Sequence, residues 1–387
     1  MFPSYIYANR WISGVPISDI LPRGQNNFDL VRVAAAASVI ISHAFLITSG
    51  NASHEPLASG SVYNLGQHAV NIFFVLSGLL VAASLDRTES IAAFAIARGV
   101  RIFPGLIVCV IITAFILGPI VSSLEPSQYF SSRLLFEYVI RTSALTTALA
   151  PLPGVFETLP MAGQVNVPIW SLKYEVFCYA ILVLVAGLGA WWREAWFWVV
   201  FGVVMVLHLT FETGHTRIDE HTSVHQLSRF LLCFFLGVAA YRLRHHLRLS
   251  LPGAVVAALL FFLARDTRLE ESLSYALVGY LTLCIAALPC AGMRRLLAGS
   301  DISYGLYIYG WPTAQTILFL SPGIGPITLA IGSLMVAAVV AVLSWRWIEA
   351  PALGAQAVRR PISQNPASQE RVKRVCGQRI GAMPDPR

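Results

Sequence analysis

The chain has 387 residues, of which 56% are hydrophobic and only 12% charged, and its mean hydropathy is +0.66. Soluble domains carry about a quarter charged residues, so the composition excludes a soluble globular enzyme, a disordered scaffold and a coiled coil. It indicates an all-α polytopic membrane protein. The net charge of +7 does not point to nucleic acid, because the basic residues fall at the ends of apolar runs and in one tail.

Residues 1–27 contain Pro3, Pro16 and Pro22 and no apolar core suited to a cleavable signal. They are expected to form an N-terminal segment, with the first span itself directing insertion. Ten apolar runs follow, near 30–49, 66–85, 102–122, 172–191, 196–211, 228–243, 251–265, 272–290, 302–321 and 327–347. About 20 residues are needed to cross the hydrocarbon core, so the reading is about ten transmembrane helices in a single domain over 28–353. The stretch 134–149 carries Glu137 and Arg141 and reads as an interfacial or re-entrant helix. Residues 354–387, rich in Pro, Gln, Ser and Arg, read as a basic tail that can touch anionic lipid.

Sidedness follows from the 27 basic residues. If the ten runs alternate in direction, twenty lie on the side of the termini and seven on the other. The positive-inside rule then places both termini in the cytoplasm. Trp191, Trp192, Trp345 and Trp347 fall at the same interface, as an aromatic belt does. Only two of the basic residues, Lys173 and Lys373, are lysine, a bias that suits a bacterial source. The six cysteines form no CxxC pair and no zinc-like spacing, so free thiols and no metal are expected. The acidic, His-rich stretch 212–226 matches no metal-site spacing either.

Ionisable groups inside spans are costly and mark function by default. The first span carries Asp29, Arg32 and His43. Arg32 and His43 are eleven residues apart, which puts them on one helix face about 16 Å apart along the axis. Ala34, Ala35, Ala36 and Ala37 between them leave a groove of small side chains. Arg32 alone also fits a snorkelling residue, and His43 alone a hydrogen-bonded core histidine. Arg98 and Arg101 share a helix face at the entry to the third span. With Arg32 they compose a guanidinium cluster suited to phosphate, while an isolated RxxR also serves as positive-inside anchoring. Glu175 enters the fourth span from the outer face at a depth comparable to His43. A His43–Glu175 pair is a general-base arrangement; the alternative is that Lys173 or backbone satisfies Glu175.

These residues fall within a pattern that resembles the acyltransferase 3 family of integral-membrane acyltransferases, which acylate cell-envelope saccharides, antibiotics and lipids. Phe28-Asp29-Leu30-Val31-Arg32 through His43 is similar to the family's Arg-x10-His helix, and Asn71 to Gly78 to its FFxxSG motif. Arg98-Gly99-Val100-Arg101-Ile102-Phe103-Pro104 resembles RxxRixP, and Trp170-Ser171-Leu172 with Glu175 resembles WSLxxE. Ser303-Tyr304-Gly305-Leu306-Tyr307 with Trp311-Pro312, then Ile348-Glu349-Ala350-Pro351, are similar to its last two helices. The blocks stand in order across residues 28–351.

The resemblance implies a bacterial inner-membrane enzyme with acyl-CoA, usually acetyl-CoA, as cytoplasmic co-substrate. The acceptor is then a saccharide or glycolipid hydroxyl at the outer face. His43 and Glu175 are the expected catalytic pair, and Arg32, Arg98 and Arg101 the expected CoA-phosphate ligands. Trp170, Ser171, Tyr307 and Trp311 are expected to line the substrate site. The Arg32–His43 separation is comparable to an extended pantetheine arm. Ser77 is expected to serve close helix packing, and Glu349 a structural ion pair. One departure stands out: relatives often have histidine just before Trp-Pro, where this chain has Gly310. The competing readings are a transporter or flippase of a lipid-linked saccharide and a membrane scaffold or sensor. The absence of a repeat between the two halves counts against transport.

Overall fold

The computed structural model describes residues 11–22, 26–59, 62–88, 90–189, 191, 193–213, 223–288 and 300–358. Expectations resting on Arg10, Arg23, Trp192, Arg217, Arg294, Arg295, Cys290, Cys376 and residues 359–387 lie outside the described residues. In chain order the helices are α1 (Phe28–Ser49), α2 (Leu65–Asp86), α3 (Ile91–Ile112), α4 (Arg133–Ser143), α5 (Leu172–Gly187) and α6 (Glu194–Thr213). They continue with α7 (Ser223–Arg242), α8 (Leu251–Leu263), α9 (Glu270–Ala286), α10 (Ser303–Leu320), α11 (Pro326–Ser344) and α12 (Ala350–Val358).

Every one of the ten apolar runs is helical. Among the described residues, seven helices are long and apolar enough to cross a membrane. The runs outside that group are α8, with 13 residues, α9, with 17, and α10, with 18. The first two are short. α10 is long enough but rich in Tyr, Ser, Thr and Gln, and it tolerates them because every residue from Ser303 to Pro312 is buried in protein. Polar groups at membrane depth are stable where protein covers and pairs them. α4 has 11 residues, about 16 Å of helix, which is too short to span.

The core is built on the crossing of α2 and α7. In their most apolar stretches 67% of α2 and 72% of α7 are buried, against 17% for α6 at the periphery. A Cβ on Gly78 would sit 1.9 Å from the Phe234 carbonyl oxygen, and one on Gly237 would sit 2.0 Å from that of Val75. The two backbones therefore touch, and only glycine fits on either side of the contact. Phe74 and Phe230 stack 4.2 Å apart one turn away. Small residues that let backbones meet are how helices associate where lipid removes the hydrophobic drive. The Ser77-Gly78 stretch thus serves packing through Gly78, while Ser77 faces elsewhere.

Side-chain contacts bring alternate helix ends to one end of the bundle. Asp86, ending α2, accepts from Trp191 Nε1 at 3.0 Å and from Tyr241 OH, on α7, at 2.8 Å. At the same end the N-terminal segment is part of the fold. Its strand β1 (Val15–Pro16) pairs antiparallel with β2 (Arg248–Leu249), and Ile17 and Ile20 are buried. Asn27 donates from its backbone N–H to Ala286 and from Nδ2 to Leu288, fixing the start of α1 against the end of α9. At the other terminus α12 carries helix through Val358, beyond residue 354, where the tail was expected to begin.

Replacing Gly78 by Val is expected to remove a folded, monodisperse species in detergent. Overpacking costs about 1–3 kcal/mol even where side chains can shift, and here the obstacle is backbone. Size-exclusion profiles and thermal unfolding of Gly78→Val beside the wild type check this; Ser77→Ala should leave both unchanged.

Candidate active site

A cavity opens between α1, α2, α3, α5 and α10, with about 800 Å³ of space including its open mouth. Arg32, Arg98 and Arg101 line one part of it, Ser77, Glu175 and Tyr179 its middle, and Phe73, Ser171 and Tyr307 another part. Six of the residues expected from sequence therefore meet in one space: Arg32, Arg98, Arg101, Ser171, Glu175 and Tyr307.

The arginines are held differently from one another. Arg32 Nη1 and Arg101 Nη2 both donate to Oδ2 of Asp301, the residue just before α10. Oδ1 of Asp301 accepts from Ser303 Oγ at 2.5 Å. Burial pushes the Asp301 carboxyl up, but Arg32 and then Arg101 outweigh it and hold the group well below the usual carboxylate range. Arg101 also lies 3.9 Å from buried Glu349, which accepts from Ser344 Oγ at 2.9 Å; Glu349 thus makes the ion pair expected of it. Arg98 makes no ion pair or hydrogen bond among the described residues, and its buried Nε is unpartnered. Its guanidinium lies 5.7 Å from the Phe94 ring centroid. Of the three arginines it is the one that no carboxylate pairs directly, Glu175 acting on it only across space.

Glu175 belongs to a second group. Its Oε1 accepts from Tyr179 OH, one turn on along α5, and from Ser77 Oγ at 3.3 Å. Ser77 Oγ and Tyr179 OH are 3.0 Å apart, closing a three-membered network. Lys173 does not enter it; its Nζ lies 4.7 Å from the Tyr174 ring centroid.

The expected pairing of Glu175 with His43 is not made in this structure. The His43 ring stands edge-on to Trp311, centroids 4.9 Å apart. The two residues stand apart because the chain before α5 runs inward. Residues 161–171 descend along α10, pinned at three successive turns. Gln315 Nε2 donates to Met161 and Gln164, Trp311 Nε1 to Gln164, and Tyr307 OH to Pro168. Glu175 consequently starts from mid-bundle and meets Ser77, the middle of α2. His43 stays connected to the site through α10: Trp311 is one turn from Tyr307, which lines the cavity and lies 2.6 Å from Ser171 Oγ.

Trp170 is not on the cavity wall; it packs with Tyr174 and Phe230. Gly310 fits α10 against α1, since a Cβ there would lie 2.6 Å from Ile40 Cγ1. A histidine at this position has no room while Ile40 stays in place. Tyr309, its neighbour in the chain, is buried against Ser344 of α11. Asp301 and Tyr179 were missed from sequence. Asp301 is an acid at the head of an apolar run on the side holding Arg32 and Arg101, and Tyr179 is four residues after Glu175; both relations are visible in the letters.

A family profile described as an acyltransferase domain matches residues 25–346. The chain belongs to the acyltransferase 3 family. An O-acetyl transferase of Shigella phage Sf6 is 30% identical over 299 residues, 76% of this chain and 86% of that protein. Nodulation protein 10 of Rhizobium leguminosarum bv. viciae is 27% identical over 359 residues, 85% of this chain and 93% of that protein. No solved structure matches significantly. The protein is thus an acyltransferase with several membrane-spanning helices, which displaces the transporter and scaffold readings.

In this acyltransferase, Gly310→His is expected to lower thermal stability by forcing Ile40 aside, at a cost of about 1–3 kcal/mol. Adding Ile40→Ala to Gly310→His should recover part of the loss. Unfolding temperatures of the single and double variants check it; equal stability of wild type and Gly310→His would remove the account of that departure.

Proposed function

We propose that the protein is an O-acyltransferase that moves an acyl group, acetyl in the simplest case, from acyl-CoA at the cytoplasmic face to a hydroxyl of a saccharide or glycolipid at the outer face. The observation that carries this reading is the three-arginine end of a cavity whose lining also includes Ser171 and Tyr307, one helical turn from the Trp311–His43 pair. Guanidiniums held partly out of water bind phosphate through forked, charge-assisted hydrogen bonds, which suits the nucleotide end of CoA. The apolar walls and the Ser77–Tyr179–Glu175 network suit a pantetheine arm, whose amides and hydroxyl need partners once desolvated.

The chemistry requires a base and an exit for the thiolate. His43 accepts the proton of the acceptor hydroxyl as its oxygen attacks the thioester carbonyl. The C–S bond then breaks, and CoA leaves as a thiolate that takes up a proton. His43 can instead carry the acyl group briefly before the acceptor attacks. Glu175 acts on the donor side, since its partners are Tyr179 and Ser77. The positive-inside distribution supports cytoplasmic termini and donor entry from that side, in a bacterial inner membrane. The name of the Shigella phage Sf6 relative, an O-acetyl transferase, supports acetyl transfer.

Two substitutions separate binding from transfer. Arg98→Ala is expected to weaken acetyl-CoA binding by about tenfold or more, the worth of a charge-assisted contact. His43→Ala is expected to keep donor affinity while slowing transfer about 10²–10⁴-fold. Calorimetry on detergent-purified protein reads the first, and release of free CoA thiol with an acceptor extract reads the second. Full transfer by His43→Ala would remove His43 from the mechanism.

A further inference from the structure

Asp301 has no assigned role in acyl transfer, yet from just behind the cavity lining it holds two of the three arginines of the proposed phosphate-binding end. One of its carboxylate oxygens receives both Arg32 and Arg101, and the other receives Ser303 Oγ. A carboxylate accepting two guanidiniums stands where a phosphate would stand, because the arginine fork matches both anions. Arg98, one turn from Arg101 on α3 and lining the same cavity, has no such partner. The site therefore offers an incoming anion one open guanidinium and two that are already engaged. The side chains of Arg32 and Asp301 are 22% and 14% exposed, so the engaged pair is within reach of a ligand in the mouth.

The consequence is a threshold on the number and reach of the ligand's phosphates. A ligand with a single phosphate gains Arg98 and meets the Asp301 carboxylate as a like charge at close range, an unfavourable juxtaposition in a partly desolvated site. A ligand with a diphosphate reaches further: one phosphate takes Arg98, and the other takes over Arg32 and Arg101 from Asp301.

We propose that Asp301 is the specificity-determining residue of the donor site, an internal anion that a diphosphate-bearing donor displaces and a singly phosphorylated one does not. The site thereby selects acyl-CoA against acyl groups carried on the phosphopantetheine arm of a carrier protein. This rests on the acyl-CoA reading above and adds which donor class is refused and by what.

The test measures binding of CoA, inorganic pyrophosphate and 4′-phosphopantetheine to the full-length, detergent-purified wild type, Asp301→Asn and Asp301→Ser. Removing the carboxylate is expected to tighten phosphopantetheine by about tenfold or more, since close like charges repel strongly. CoA and pyrophosphate, which displace the carboxylate, should gain less, so that the preference for CoA over phosphopantetheine collapses in both variants. Unchanged or weaker phosphopantetheine binding by folded Asp301→Asn would overturn the proposal. So would a failure of both variants to fold, which would make the carboxylate a structural ion pair. If CoA binds the wild type and the variants gain nothing, the donor reading stands and the role of Asp301 falls. If the variants gain phosphopantetheine but no protein binds CoA, the role of Asp301 stands and the donor reading falls. Binding of no ligand by any folded protein overturns both.

Discussion

A guanidinium within an apolar bundle has to be paired or has to face a polar space, and this fold is arranged around three of them. Arg32 on α1 and Arg101 on α3 are brought to Asp301 at the head of α10, so one carboxylate joins three helices far apart in sequence. Glu349, at the end of the π-turn after α11, adds a fourth element through Arg101. Burying such a cluster is tolerable only with good geometry and satisfied neighbours; Ser303 and Ser344 each donate to one oxygen of an acid, while Glu349 Oε2 faces Arg101 at 3.9 Å without a hydrogen bond. Arg98 is left facing the cavity. The requirement that stabilises the bundle end thus also creates its capacity for anions.

The rest of the site depends on two close approaches. The Gly78–Gly237 crossing lets α2 and α7 touch, which sets Ser77 toward α5 and the cavity. The pinning of residues 161–171 along α10 by Tyr307, Trp311 and Gln315 carries the chain inward before α5 begins. That second feature places Glu175 beside Ser77 instead of at the outer rim. It also lets α10 hold both ends of the chemistry, with Asp301 just before its first turn and the His43–Trp311 contact on its third.

Much of this was legible in the letters. Hydropathy located all ten helical runs, because an apolar stretch in lipid must satisfy its own backbone hydrogen bonds, which leaves little choice but helix. The arginine cluster was legible because arginine in or beside a span is costly enough to be rare. Three things were not. Of the ten runs read as spans, seven are long and apolar enough to cross a membrane among the described residues, since α8 and α9 are short and α10 is covered by protein. The His43–Glu175 pair was inferred from depth alone, and depth fails when the preceding loop enters the bundle. Asp301 escaped notice because a single acid at a helix start is ordinary, and only the tertiary contact shows that both arginines share it.

The most direct measurement is a cryo-electron microscopy structure of the detergent-solubilised protein with CoA bound. The account predicts the diphosphate within hydrogen-bonding distance of Arg98, with Arg32 and Arg101 turned from Asp301 to phosphate. It also predicts the pantetheine thiol beyond Ser77, close to Tyr307 and within reach of His43. CoA seated outside this cavity, or with its thiol directed away from α10, would contradict it.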